Sequence, residues 1–250
     1  MKTLFISDLH LNPDQPELTR LATAFIAQQK DAAALYLLGD IFNTWLGDDL
    51  IPDAYQEFIQ ALQQQQQQGT KLYLMVGNRD FMLGEKFARL IGATLLPDPV
   101  VVQIYGRSVL LMHGDSLCTD DVSYQRYRKV VRNRWLQKLF LAMPLAIRQR
   151  ISDKIKAKSK QQKQFKQARI MDVNPAAVRQ VMKAHRIQLL IHGHTHRPAI
   201  HTLESLHGEI GHRIVLGDWH QHPSYIEMNA EGIYLNDVRL PAGQQHLALL

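Results

Sequence analysis

Five short apolar runs in this sequence each stop at residues carrying oxygen or imidazole donors, and this pattern constrains the fold more than any other feature. Thr3–Ser7 precedes Asp8, Ala34–Leu38 precedes Gly39-Asp40, and Leu72–Val76 precedes Gly77-Asn78. Val109–Met112 precedes His113-Gly114, and Ile187–Ile191 precedes His192-Gly193-His194. Each run has the length and composition of a buried strand. Helical patterns at residues 15–28, 52–66 and 84–91 separate the first three. The expected fold is an α/β core with its strand ends gathered on one edge, where ligands sit in such sheets. Beyond His196 the pattern turns to short strands: Arg213–Leu216, then Tyr225–Met228 and Ile233–Leu235 around a turn at Asn229–Gly232.

One domain spanning residues 1–250 is expected, interrupted by an insertion at about 121–169. The insertion is where the charge lies. From Arg126 to Arg169 there are fifteen Lys or Arg and one acid, Asp153, so a chain of net charge +6 carries +14 in 44 residues and −8 in the rest. An anionic partner would be drawn to that segment. Its composition predicts two helices divided by Pro144, about Asp121–Ala142 and Leu145–Gln167. Apolar residues Trp135, Leu136, Leu139, Phe140, Met143, Ile147, Ile151 and Ile155 recur through it at helical spacing. That stripe either faces a core or meets something greasy. The single cysteine, Cys118, excludes an intrachain disulfide and a thiolate-rich metal site. No apolar stretch has the length of a secretion signal or a membrane span, so neither is expected.

The strand ends deliver Asp8 and His10, Asp40, Asn78-Arg79-Asp80, His113, and His194 with His196. In an extended segment residues two apart share a face, so Asp8/His10 and His194/His196 can each chelate from one short piece of chain. Imidazole and oxygen donors without thiolate favour Mn, Fe or Zn. Any one of these motifs is weak alone; the specific signal is all five in order, each after a strand. His192 lies two residues before His194 and either lines the site or is a hydrogen-bonded core residue, the second being the expectation. His220, beside Asp218 and Trp219, is placed near the site.

This order of motifs resembles the calcineurin-like metallophosphoesterase superfamily. The resemblance implies two packed β-sheets with helices outside and a helical insertion. It also implies one metal on Asp8, His10, Asp40 and His196, and a second on Asp40, Asn78, His113 and His194, with Asp40 bridging. Two such metals share an activated water and clamp a phosphoryl group for in-line attack. Two divalent ions, two aspartates and one hydroxide still leave a positive site for an anionic phosphate. Asp40, Asn78, Arg79 and His113 are then the expected catalytic residues. Many superfamily members have a histidine at the position of Arg79 that can protonate a leaving alkoxide. Arginine stays charged and cannot; it can clamp phosphate oxygens as charge develops. The chemistry then suits a leaving group that is already a weak base, such as the phosphate monoester released from a pyrophosphate. Asp80 is expected to orient His113 or Arg79.

A narrower resemblance covers nearly the whole chain. Leu38–Asp49, Gly77–Phe81, His113–Asp121, Ile170–Asn174 and Ile191–Pro198 are similar to the UDP-2,3-diacylglucosamine diphosphatase family of lipid A biosynthesis. It implies hydrolysis of a UDP-linked diacyl sugar to UMP and 2,3-diacylglucosamine 1-phosphate, with two Mn²⁺ per chain or Fe or Zn in their place. It further implies a peripheral enzyme on the cytoplasmic side of the inner membrane, here expected as a monomer without nucleic-acid partners. Substrate contacts carried over by motif fall on Asn78, Arg79, Asp121, Ser159, Lys166 and His194. Lys163 stands where the family often has asparagine. Trp45 either shelves the sugar or uracil or packs in the core. The alternative is a nuclease or general phosphodiesterase that holds nucleic-acid backbone on the basic insertion.

Overall fold

A computed structural model of the chain describes residues 1–165, 172–206 and 208–248, without the side chains of 158–165 and 205–206. Its strands are β1 (Lys2–Ile6), β2 (Ala32–Leu38), β3 (Lys71–Met75), β4 (Ala93–Leu95), β5 (Val100–Ile104), β6 (Arg107–Met112), β7 (Leu189–His192), β8 (Ala199–Leu206), β9 (Glu209–Val215), β10 (Tyr225–Met228), β11 (Gly232–Asn236) and β12 (Gln244–Ala248). Its helices are α1 (Pro16–Gln28), α2 (Gln56–Gln67), α3 (Glu85–Leu90), α4 (Val122–Val131), α5 (Arg134–Leu141), α6 (Leu145–Phe165) and α7 (Pro175–His185). None of the described helices is long and apolar enough to cross a membrane.

Seven strands form one sheet in the order β12-β11-β10-β1-β2-β3-β4, and five form the other in the order β5-β6-β7-β9-β8. The strand period of two divides the apolar residues between layers. In β1 and β2, Phe5, Ala34, Tyr36 and Leu38 point between the sheets, where they meet Val109, Leu111, Ile191 and Ile214. Leu4, Ile6, Leu35 and Leu37 point outward and are covered by Leu18, Ala22 and Ile26 of α1 and Phe58, Ile59 and Leu62 of α2. On the far side Leu110, Met112 and Leu190 are covered by Val178 and Met182 of α7. The fold is therefore a two-sheet sandwich with a helical layer on each outer face, and its parallel strands read as unbroken apolar runs because both faces are buried.

β1, β2, β3 and β4 run parallel in the first sheet, as do β6, β7 and β9 in the second. Their carboxyl ends therefore open on one side of the sandwich, and the connections there are laced together. Asp8 N donates to Gly39 O at 3.0 Å, His10 N to Asp40 O at 3.0 Å, Gly193 N to His113 O at 2.9 Å and Trp219 N to Asp8 O at 3.1 Å. Gly77 and Gly193 are where two of these loops touch. A Cβ at Gly77 would collide with the carboxylate and amide of Asp40, and one at Gly193 with Ser7 and Asp8.

The insertion departs from the sequence expectation. The helix expected over 121–142 is two, α4 and α5, broken at Arg132-Asn133. Asn133 takes an extended backbone, and its side chain accepts from Trp135 N and Leu136 N, so it starts a new helix rather than continuing the old one. α6 begins after Pro144 as expected. Neither α4 nor α5 contains a buried residue.

Trp45 belongs to the core, not to a ligand shelf. It is 4% exposed, packs on Phe42, Tyr55 and Phe87, and donates Nε1 to Asp48 Oδ1 at 2.8 Å. Phe42, fully buried, holds that aromatic group together with centroid distances of 4.6 Å to Trp45 and Tyr55 and 5.5 Å to Phe87. Phe42→Ala should destabilise the fold by about 3–5 kcal/mol, the usual cost of emptying such a site. Urea unfolding followed by tryptophan fluorescence measures it, and a change under about 1 kcal/mol would contradict this packing.

Candidate metal centre

Asp8, Asp40, Asn78, His113 and His194 follow β1, β2, β3, β6 and β7 within three residues, so the five strand ends converge as expected. Among the described residues, Asp8, His10 and His196 form one group able to hold a metal ion, and Asp40, His113 and His194 form another; within each group the donor atoms lie within 4.8 Å of one another. Asp40 stands between the two, with Oδ1 3.6 Å from His113 Nε2 and Oδ2 4.0 Å from His10 Nδ1. Asn78 joins the second group through Oδ1, which accepts from His113 Nε2 at 2.9 Å.

The backbone that presents these groups is not extended, which corrects the sequence expectation. Asp8 (φ 55°), His10 (φ 49°), Asp40 (φ 53°), His194 (φ 69°) and His196 (φ 58°) all lie in the left-handed region. Paired presentation by Asp8/His10 and His194/His196 comes from tight turns just past the strand ends, not from strand alternation. Such a cluster of strained non-glycine residues is characteristic of functional sites.

Burial makes the charges costly. Asp8 is fully buried and Asp40 is 2% exposed. Burial pushes the Asp40 carboxyl up, and the charge of Asp8 pushes it further. Burial works the same way on Asp8, but the nearby charge of His196, with His113 and His10 behind it, holds Asp8 below the ordinary carboxylate range. The imidazoles answer in kind. Burial would lower His113, yet Asp40, Asp8 and Asp115 raise it to about 9. His196 rises to about 10 against its own burial because Asp218 and Asp8 face it. His10 falls to about 4 and His194 to about 3, led by burial. Asp8 Oδ1, buried and without a hydrogen-bond partner among the described residues, lies 3.3 Å from His196 Nε2 and 4.0 Å from His10 Nε2. A convergence of carboxylate and imidazole donors around an unsatisfied buried oxygen fits a divalent cation, which would supply the positive charge that protons on His113 and His196 otherwise provide.

Asp80 does not orient His113 or Arg79. Its buried carboxylate accepts backbone N–H groups from Gly77 (2.7 Å), Asp40 (3.2 Å), Ile41 (2.7 Å) and Phe42 (3.3 Å). It thus ties the turn after β3 to the turn after β2, and burial with the charge of Asp40 pushes it up to about 6. Arg79 N in turn donates to Asp40 Oδ1 at 2.7 Å. The Arg79 charge acts on Asp40 and His10 and on Tyr127 and Lys156 of the insertion.

The insertion grips the rim through polar contacts. Tyr124 OH and Arg128 Nε donate to Asp115 Oδ2 at 2.6 and 2.8 Å, Arg132 Nη2 donates to Gly77 O at 3.0 Å, and Arg148 Nη1 donates to Leu46 O at 2.6 Å. The Tyr124 ring lies 6.0 Å from that of His194. Asp121 caps α4, accepting from Tyr124 N at 3.0 Å. Ser159 and Lys163 fall in the part of α6 whose side chains lie outside the described residues, and Lys166 lies outside them altogether. His192 is a core residue as expected. It is fully buried, its Nδ1 donates to Gly193 O at 2.8 Å, and burial lowers it to about 3.

Sequence reasoning missed Asp218 itself while placing its neighbour His220 near the site. Asp218 Oδ2 lies 3.2 Å from His196 Nδ1 and 2.8 Å from His220 Nε2. The signal was present: Leu216-Gly217-Asp218 after β9 repeats the strand-then-Gly-Asp pattern of Leu38-Gly39-Asp40.

Comparison with known proteins agrees with this geometry. Residues 1–198 match the calcineurin-like phosphoesterase family model. The UDP-2,3-diacylglucosamine hydrolase of Serratia proteamaculans is 48% identical over 94% of this chain and 98% of its own length. That of Escherichia coli O7:K1 is 46% identical over the same shares. Among solved structures, vacuolar protein sorting 29 from Cryptosporidium parvum aligns over 99% of this chain and 98% of its own, with 15% identity and a TM-score of 0.47. The chain belongs to the calcineurin-like phosphoesterase family, a metal-dependent hydrolase in the branch of these UDP-2,3-diacylglucosamine hydrolases.

Proposed function

We propose that the protein hydrolyses the pyrophosphate bond of UDP-2,3-diacylglucosamine, releasing UMP and 2,3-diacylglucosamine 1-phosphate. The observation that carries this is the pair of adjoining donor groups with Asp40 between them, and the Asn78-Arg79 turn bonded to Asp40 beside them. Asp8, His10, Asp40 and His196 would hold one divalent ion, and Asp40, Asn78, His113 and His194 the other. The donor chemistry suits Mn²⁺, with Fe or Zn as substitutes. When bound, the two ions supply an activated water and a clamp on the phosphoryl oxygens. The chain's own groups do the rest. Asp40 sets the spacing of the two halves, His113 and Asn78 fix the far wall, and Arg79 offers bidentate donors to phosphate oxygens as charge develops on them. Arg79 is no general acid, in keeping with a phosphate monoester as leaving group.

The insertion supplies the lipid preference in this reading, as a helical cap. Most of its apolar series is exposed: Trp135 is 79% exposed, Leu139 60%, Leu136 45% and Ile147 44%, while Phe140, Met143 and Ile151 are half-buried. The stripe therefore does not face a core, and a surface that merely tracks nucleic-acid phosphates has no use for it. Each acyl methylene buried against such residues contributes about 0.8 kcal/mol. Each basic residue near an anionic membrane adds about 1 kcal/mol and loses it as salt rises. The protein then works as a monomer at the cytoplasmic surface of the inner membrane. The observed contacts refine this picture: Arg128, Arg132 and Arg148 are engaged with the core and are not available to headgroups.

Incubation of the protein with Mn²⁺ and UDP-2,3-diacylglucosamine in ¹⁸O water should give UMP carrying the label and an unlabelled sugar phosphate, read by mass spectrometry. Label in the lipid phosphate would reverse the assignment of attacked and leaving phosphorus.

Chelation should abolish turnover and Mn²⁺ should restore it. Asp40→Asn, which weakens both halves, should lower kcat by at least about 100-fold, the scale seen when a group stabilising the transition state is removed. Substantial turnover by that variant after metal removal is the result that defeats the two-metal reading.

Replacing residues 126–168 with a Gly/Ser linker should leave two metals bound and a small soluble phosphodiester still hydrolysed, while the diacyl substrate is no longer cleaved. A variant with full metal stoichiometry that processes the diacyl substrate normally would remove the cap from the mechanism. So would faster degradation of single-stranded nucleic acid than of the lipid by the intact protein.

A further inference from the structure

We infer that Asp218 is a positioning residue for the metal half formed by Asp8, His10 and His196, fixing the tautomer and angle of His196 and thereby setting how tightly that half holds its ion. The inference rests on the two-metal reading above. His196 has one ring nitrogen toward each side. Nε2 lies 3.3 Å from Asp8 Oδ1 and 3.2 Å from His10 Nε2, at the point where that donor group converges. Nδ1 lies 3.2 Å from Asp218 Oδ2. A carboxylate can only accept, so Nδ1 carries the proton and the Nε2 lone pair is left for a cation. A carboxylate behind a ligating histidine also makes the imidazole a stronger donor.

Asp218 is itself held firmly. It is 8% exposed. Arg239 Nη1 donates to Asp218 Oδ1 at 2.6 Å and Arg239 Nη2 to Asp218 O at 3.0 Å, while Arg239 Nε is fixed by Asp237 Oδ1 at 2.8 Å. On either side of it, Gly217 N donates to Ser224 Oγ at 2.9 Å and Trp219 N to Asp8 O at 3.1 Å. The last contact ties the loop carrying Asp218 to the strand end carrying Asp8. His113 in the other half is oriented differently, by Nδ1 donation to the carbonyl of Leu38 at 3.0 Å. Of His113 and His196, His196 has a carboxylate behind its ring and His113 a backbone carbonyl, so the two halves should differ in their response to losing Asp218.

The test is a Mn²⁺ titration of metal-free protein, with bound metal counted and the Mn²⁺ spin-resonance spectrum recorded. Wild type should take two ions per chain and give the spectrum of a coupled pair. Asp218→Ala should weaken one of the two binding steps by about 10- to 100-fold, the usual effect of removing such a partner. At one equivalent it should show an isolated ion. Asp218→Asn, which preserves shape and an acceptor, should fall between the two and covers the case in which Asp218→Ala does not fold. His220→Ala, which removes only the exposed neighbour, should stay within about threefold of wild type. Metal-free melting temperatures matching wild type separate this from general damage, since loss confined to one binding step is not what a loosened fold produces. Two binding steps within about threefold of wild type in Asp218→Asn, and in Asp218→Ala where it folds, would overturn the inference alone. A wild-type protein that never takes a second ion would overturn the two-metal reading and this inference with it.

Discussion

Two buried carboxylates at the ends of adjacent parallel strands govern the rest of this structure. Neighbouring strands lie about 4.8 Å apart, so an acid just past β1 and another just past β2 must stand close together. Asp8 and Asp40 do so with almost no access to water. Two like charges in such a place are unfavourable unless positive charge is supplied. Four imidazoles, His10, His113, His194 and His196, are drawn around them from elements far apart in sequence, and the raised His113 and His196 follow from the carboxylates they face. A divalent cation would do the same work with more charge and no proton.

Holding that arrangement requires an unusual backbone. Residues in the left-handed region cost about 1–3 kcal/mol each when they are not glycine, and five of the donors lie there. The turns persist because each is bonded to the next. Asp8 and His10 donate to the β2 turn, Trp219 to Asp8, Gly193 to His113, and Asp80 gathers four amides from the β2 and β3 turns. Asp80 is therefore placed to preserve the geometry of Asp40, not to take part in proton transfer. Close approach at Gly77 and Gly193 is what lets these turns pack.

Much of this was legible in the sequence because burial on both faces makes a parallel strand an unbroken apolar run, and the donor follows it at once. What was not legible has physical causes. β4, β5, β8 and β12 are short or carry polar and half-exposed residues, as at Glu204 and His246, so they lack that contrast. α7 was passed over although Asn174 and Pro175 mark its start. The break at Asn133 depends on one side chain choosing to cap instead of lying on a helix surface, which composition cannot resolve. Trp45 offered two roles until Phe42 and Tyr55 were seen to enclose it. Asp218 is not legible from histidine spacing because it meets the site only through the ring of His196, although the Gly-Asp after β9 repeats the one after β2.

The insertion inverts the usual order of a soluble helical unit. Its best-held charged groups point inward: Arg148 is 3% exposed and bonded to Leu46 O and Asp49, and Arg128 is paired with Asp115 beneath Tyr124. Several of its large apolar groups, Trp135, Leu136, Leu139 and Ile147, are exposed, and neither α4 nor α5 buries a residue. Three of its fifteen basic residues, Arg128, Arg132 and Arg148, anchor these helices to the rim, Arg128 and Arg148 through the acids Asp115 and Asp49. Among the described residues, no packing partner covers the exposed part of the insertion's apolar face. An apolar surface on a basic segment has the chemistry that a ligand with acyl chains and an anionic head would meet, and that match is the basis of the cap role proposed for it.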